Sequence, residues 1–109
     1  FGGTPLKLAM YDLDGRADEI NRAAVAAVRD AVGDRAYVSG SCGPTGKLLK
    51  PFGDTEPDEM RASFDVQMRA FIEAGVDVIC VETMTAVEEA ALAIKAASRN
   101  KQDPARPVG

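Results

Sequence analysis

Residues 76–81 read Val76-Asp77-Val78-Ile79-Cys80-Val81, apolar at every position but one. Such a run fits a β-strand covered on both faces, as the strands of parallel sheets are. Its flanks narrow the fold further. Before it comes a helical pattern carrying Met60, Phe64, Gln67, Met68, Phe71 and Ile72, stopped by Gly75. Thr55 with Asp58 resembles a capping box for that helix, Asp standing where Glu or Gln is usual. After the strand, Thr85 with Glu88 is a full capping box for a helix whose stripe is Val87, Ala90, Ala91, Ile94 and Ala97.

The same alternation extends in both directions. Thr4 is a candidate N-cap and Pro5 a favoured first helical residue, with Leu6, Ala9, Met10 and Leu13 on one face before Asp14-Gly15. A second helix spans Asp18 to Val32, striped by Ile20, Ala24, Ala27, Val28 and Ala31, and Gly33 ends it. Ala36 to Ser41 reads as a strand entering the glycine-rich stretch 40–46, and the loop runs on to Asp54. The polar segment from Asn100 to Arg106 leads to a strand start at Pro107-Val108. Strands alternating with amphipathic helices imply βαβ crossovers and a parallel sheet. The fold class is α/β, and composition alone does not separate a doubly wound sheet from a closed barrel.

Several functions are excluded by what the chain lacks. The 13 basic residues are scattered singly among 17 acidic ones, giving a net charge of −4, so no cationic patch exists to neutralise nucleic-acid phosphates. No apolar stretch approaches the roughly 20 residues of a membrane span. Nothing reads as a secretion signal, and the expected location is cytoplasmic. Histidine is absent and only Cys42 and Cys80 could supply thiolates, too few for a zinc site without ligands from elsewhere. Both cysteines lie in or beside apolar runs, as buried reduced cysteines do. The chain begins at Phe1 without an initiator Met and stops as a strand begins, so residues 1–109 are expected to be a partial domain with both ends missing.

In parallel α/β folds, chemistry sits beyond the C-terminal ends of strands. Glu82 directly follows the clearest strand and shares a face with Val76, Val78 and Cys80. It either points to the barrel mouth, where it could bind a cationic substrate group, or interacts with the N-terminus of the next helix. The turn Gly43-Pro44-Thr45-Gly46 is either an anion-holding set of backbone N–H groups or a rigid turn shaping the rim. It is not a phosphate loop, because Leu48 follows Lys47. Cys42, at the end of its strand, has no histidine to act as its base and reads as a small rim residue; Cys80 reads as packing. Met60 and Met68 are core fillers.

Three segments together resemble the homocysteine S-methyltransferase family: Phe1-Gly2-Gly3-Thr4 leading into Lys7-Leu8, the stretch Gly40 to Leu49 with Pro51 and Gly53-Asp54, and Val81-Glu82-Thr83-Met84. Glu19-Ile20-Asn21 and Ala24-Val25 also fit. The resemblance covers essentially the whole chain, but only about a third of a barrel domain of roughly 250 residues. It implies a segment of a (β/α)8 TIM barrel, with the strands at 36–41 and 76–81 as the third and fourth and Pro107-Val108 opening the fifth. It looks most like the homocysteine-binding module of cobalamin-dependent methionine synthases, and stand-alone members that use other methyl donors fit as well.

The resemblance further implies an enzyme that methylates homocysteine to methionine, with zinc holding the substrate thiolate. The zinc cysteines would lie downstream of Gly109, and neither Cys42 nor Cys80 matches one. No catalytic residue falls in this segment, which alone should be inactive. Glu82 matches the acidic residue that binds the amino group of homocysteine, Phe1 and Gly2 match a loop of the substrate pocket, and Ser41 borders it. The methyl donor is left open among cobalamin with methyltetrahydrofolate, which would enter through other domains, S-methylmethionine and betaine; the partners are homocysteine, a methyl donor and the rest of the barrel. The alternatives are a pterin-dependent barrel methyltransferase, which should show acidic and polar residues at several successive strand ends, and a non-catalytic α/β binding or scaffolding module.

Overall fold

A computed structural model describes residues 1–102. Four α-helices and two strands follow in the order α1 (Pro5–Leu8), α2 (Ala17–Val32), β1 (Ser39–Cys42), α3 (Pro57–Ala74), β2 (Val78–Val81) and α4 (Val87–Lys101). The strands pair in parallel, with Ser39 opposite Val78 and Cys42 opposite Val81. Parallel neighbours separated by a helix form the βαβ unit that the alternation implied. The strand start at Pro107-Val108 lies outside the described residues.

Side-chain alternation gives this small sheet two unlike faces. Gly40, Cys42, Ile79 and Val81 turn toward the helices, where Cys42 is fully buried and the other apolar members pack on the core. Ser39, Ser41, Val78 and Cys80 turn the other way, and Val78 is 53% exposed. Among the described residues, helices cover one face only. Cys80 is therefore exposed rather than packed, and Cys42 is a core residue rather than a rim residue. The two thiols project from opposite faces and both are free.

The helix α3 is the centre of the core. It packs against both α2 and α4, and Met60, Phe64 and Met68 on it are fully buried. Removing a side chain of that size from water is worth about 1.5–3 kcal/mol. Ala93 and Ala96 let α4 approach closely, and the Phe71 ring lies so near Gly40 that a Cβ there would come within 2.7 Å of it. Gly75, at φ 93°, ends the helix in the left-handed conformation.

Four local expectations are corrected. The first helix is a single turn, capped by the Thr4 hydroxyl accepting from Lys7 N at 3.3 Å. Two 3₁₀ turns follow, with Asp12 left-handed at φ 58° between them, so Met10 and Leu13 never join the α1 face. Thr55 does not cap α3; its backbone bonds to Leu48 and Lys50, closing the loop, and Pro57 starts the helix. Thr85 does not cap α4, whose N-cap is Ala86. The inward faces of α2 and α4 are Ala17, Asn21, Val25 and Glu89, Ala93, Ala96, Asn100. The stripes read from apolar periodicity lie largely outside, with Val28 at 47% and Val87 at 81% exposure.

Candidate functional site

The C-terminal ends of β1 and β2 bring three of the four expected site residues into one hydrogen-bonded group. Glu82 leaves β2 with its N–H donating to the Cys42 carbonyl at 3.0 Å, so pairing with β1 extends one residue beyond the strands. Its carboxylate accepts from the Ser41 hydroxyl at 2.5 Å. That contact crosses the bare face of the sheet, away from the α4 N-terminus, where no side chain makes a capping bond. Of the two readings of Glu82, the geometry selects the rim carboxylate. Immediately after it, Thr83 sits at φ 60°. Such a value is an outlier for a β-branched residue, and strain of this kind collects at sites that need a particular geometry.

Phe1 joins the group through its backbone. Its carbonyl accepts from Gly43 N at 3.0 Å, and its ring covers Gly43 so closely that a Cβ there would meet the ring at 2.4 Å. Gly2 lies beside the stem of Lys7, whose ammonium reaches toward Gly46, 3.5 Å from where a Cβ would stand. Lys7 thus spans the first segment and the Gly43–Gly46 turn.

The turn does hold an anion, and the anion is the chain's own. Buried Glu89 on α4 accepts from Thr45 N at 3.0 Å and from the Thr45 hydroxyl at 2.6 Å. The same hydroxyl accepts from Lys47 N at 3.2 Å. With an internal carboxylate on its N–H, the turn is a rim-shaping element. Periodicity hides Glu89, because a glutamate in the first turn of a helix reads as an ordinary dipole partner.

The cysteines do not supply a metal centre. Burial pushes the Cys42 thiol up to about 12, so it stays protonated and faces the core. Among the described residues, no group of three or more His, Cys, Asp or Glu side chains is placed to hold a metal ion. These residues do not fit a zinc site by themselves.

A model of the homocysteine S-methyltransferase family matches residues 1–108. The chain belongs to that family. It is accordingly part of a methyltransferase whose acceptor is homocysteine. No helix among the described residues is long and apolar enough to cross a membrane.

Proposed function

We propose that these residues form the wall of a (β/α)8 barrel that grips the amino-acid end of homocysteine, β1 and β2 being its third and fourth strands. Glu82 binds the substrate ammonium group, Ser41 orients the Glu82 carboxylate, and Phe1 and Gly2 border the pocket. The observation that carries the reading is the Glu82 carboxylate at the end of β2, turned onto the uncovered face and held by Ser41 at 2.5 Å. A carboxylate with one neutral donor keeps lone pairs free for a cationic group. The bare sheet face and the exposed stripes of α2 and α4 support a barrel wall, since closure and neighbouring helices would cover them.

In this reading the product is methionine, and zinc is held by cysteines following Gly109. Bound there, it would lower the pKa of the homocysteine thiol. Cobalamin and methyltetrahydrofolate belong to other domains. The pterin alternative asks for acidic and polar residues at several successive strand ends; here the end of β1 offers Ser41 and no acidic residue, and Glu82 at the end of β2 is the acidic one.

Glu82→Gln in the full-length protein tests the assignment. A hydrogen bond between charged groups is worth about 1.5–3 kcal/mol, so homocysteine KM should rise roughly tenfold to a hundredfold while the methyl-donor KM stays put. Unchanged homocysteine affinity would remove Glu82 from the site.

A further inference from the structure

Beneath the Phe1–Gly3 segment runs a buried chain of amides. Asn21 on α2 donates from Nδ2 to the Gly3 carbonyl at 2.8 Å and to the Ala17 carbonyl at 2.7 Å. An amide nitrogen that gives hydrogens to two carbonyls fixes which way the group faces, so its Oδ1 must accept. The donor is Gln67 Nε2 on α3, at 3.1 Å. Both residues are buried, Gln67 completely.

This arrangement is a poor choice for stability alone. Gln67 Oε1 has no hydrogen-bond partner although it is buried. Leaving an acceptor unpaired in the interior is unfavourable, and an apolar side chain in this stripe of α3 would avoid it. The polar residue nevertheless stands among Phe64, Met68 and Phe71. Its visible consequence is the orientation of Asn21, and through Asn21 the position of Gly3. A Cβ on Gly3 would fall 2.5 Å from Asn21 Oδ1 and 2.9 Å from Gln67 Nε2, so the backbone rests directly on the two amides. Two residues before Gly3, the same segment is tied to the end of β1 by the bond from Gly43 N to the Phe1 carbonyl.

We infer that Asn21 and Gln67 are positioning residues of the homocysteine site. The relay from α3 through α2 to the Gly3 carbonyl sets where Phe1 and Gly2 stand relative to the end of β1. The inference rests on the reading of Phe1 and Gly2 as pocket residues. It goes beyond that reading by assigning control of the pocket edge to two side chains that touch no substrate.

Gln67→Met in the full-length protein is the test. It preserves length and volume, and removes both the donor to Asn21 and the unpaired acceptor. Homocysteine KM, and its Kd by calorimetry, should rise about fivefold or more, with kcat and methyl-donor KM within about twofold of wild type. Unchanged homocysteine affinity, whether or not the melting temperature moves, overturns the proposal and leaves the relay a structural feature. Equal rises in both KM values overturn it too, as general loosening. Asn21→Ser withdraws the amide from the Gly3 carbonyl, should give the same split, and decides the matter if Gln67→Met does not fold. A wild-type protein that binds no homocysteine overturns the substrate reading itself, and that outcome is seen before any variant is made.

Discussion

Replacing Thr45 by Val isolates the bond that fixes the rim turn. Val has nearly the shape of Thr, so no cavity opens at a site with no exposure, and the change is confined to the hydroxyl. Two hydrogen bonds disappear with it. One is the 2.6 Å donation to the Glu89 carboxylate, the other the 3.2 Å acceptance from Lys47 N. Glu89 keeps only the Thr45 backbone N–H among these donors, at 3.0 Å. Losing a bond to a buried charged group costs about 1.5–3 kcal/mol, and stranding a partly buried backbone N–H about 0.5–1.5 more. The sum, about 2–4.5 kcal/mol, is a large share of the roughly 5–15 kcal/mol that holds a domain folded. Urea unfolding followed by circular dichroism should show the midpoint fall by about 1–3 M for an m-value near 1.5 kcal/mol/M, with m unchanged. Thr45→Ser, which keeps the hydroxyl, should recover most of the loss. A Val variant within about 0.5 kcal/mol of wild type would mean that the hydroxyl does not hold Glu89, and the account of the turn would fall with it.

Two further predictions concern the cysteines and the opposite end of the sheet. At pH 8 a maleimide should label Cys80 in the isolated 109-residue chain and spare Cys42, whose buried thiol is pushed up to about 12; rapid labelling of Cys42 would mean the core around α3 is open. Asp77 accepts from Val38 N at 2.8 Å and pairs with Arg29 at 2.9 Å, and these two hold its carboxyl below the ordinary 3.8. A depressed carboxyl contributes stability fully above its unfolded value, and that contribution is lost as pH falls through the lower folded value. Asp77→Asn should therefore destabilise at neutral pH, with the gap to wild type closing below about pH 4; a gap independent of pH would refute the pairing.

What the sequence disclosed, and what it hid, follows from the range of the forces involved. Alternation of strand and helix was legible because it rests on local apolar periodicity and on stops such as Gly33 and Gly75. The parallel pairing followed from that order. The place of Glu82 was legible, one residue past a strand and in register with the uncovered face, whereas position alone left its role open between two readings. Periodicity misled on helix orientation. The helices α2 and α4 carry apolar residues on more than one side: Val25 is buried, while Val28, Val87 and Ile94 lie on the exposed side. Small Ala17, Ala93 and Ala96 and polar Asn21 and Glu89 face inward instead, since close helix approach and hydrogen bonds to loops decide the packing. Caps failed for a related reason: Thr55 bonds within its own loop, and Thr85 yields the cap position to Ala86. Thr83 at φ 60° had no signal at all, as nothing in a threonine announces a left-handed backbone.

The rim shows why its residues escaped a reading by type and spacing. Segments 1–3 and 43–46 contain four glycines among seven residues and have little side-chain bulk with which to pack. Such segments are positioned from outside, by groups that reach their backbone. Here those groups are Asn21 at Gly3, and Glu89 at Thr45, each reaching from a helix that never enters the site. Glycine is required where the approach is closest, as at Gly3 against two amides and at Gly43 under the Phe1 ring. This rim, the pocket edge of the proposed reading, is thereby tied to the seating of α2 and α4 on α3. A helix substitution that shifts this seating, though distant from Glu82, should act on homocysteine affinity before it acts on the chemistry of transfer.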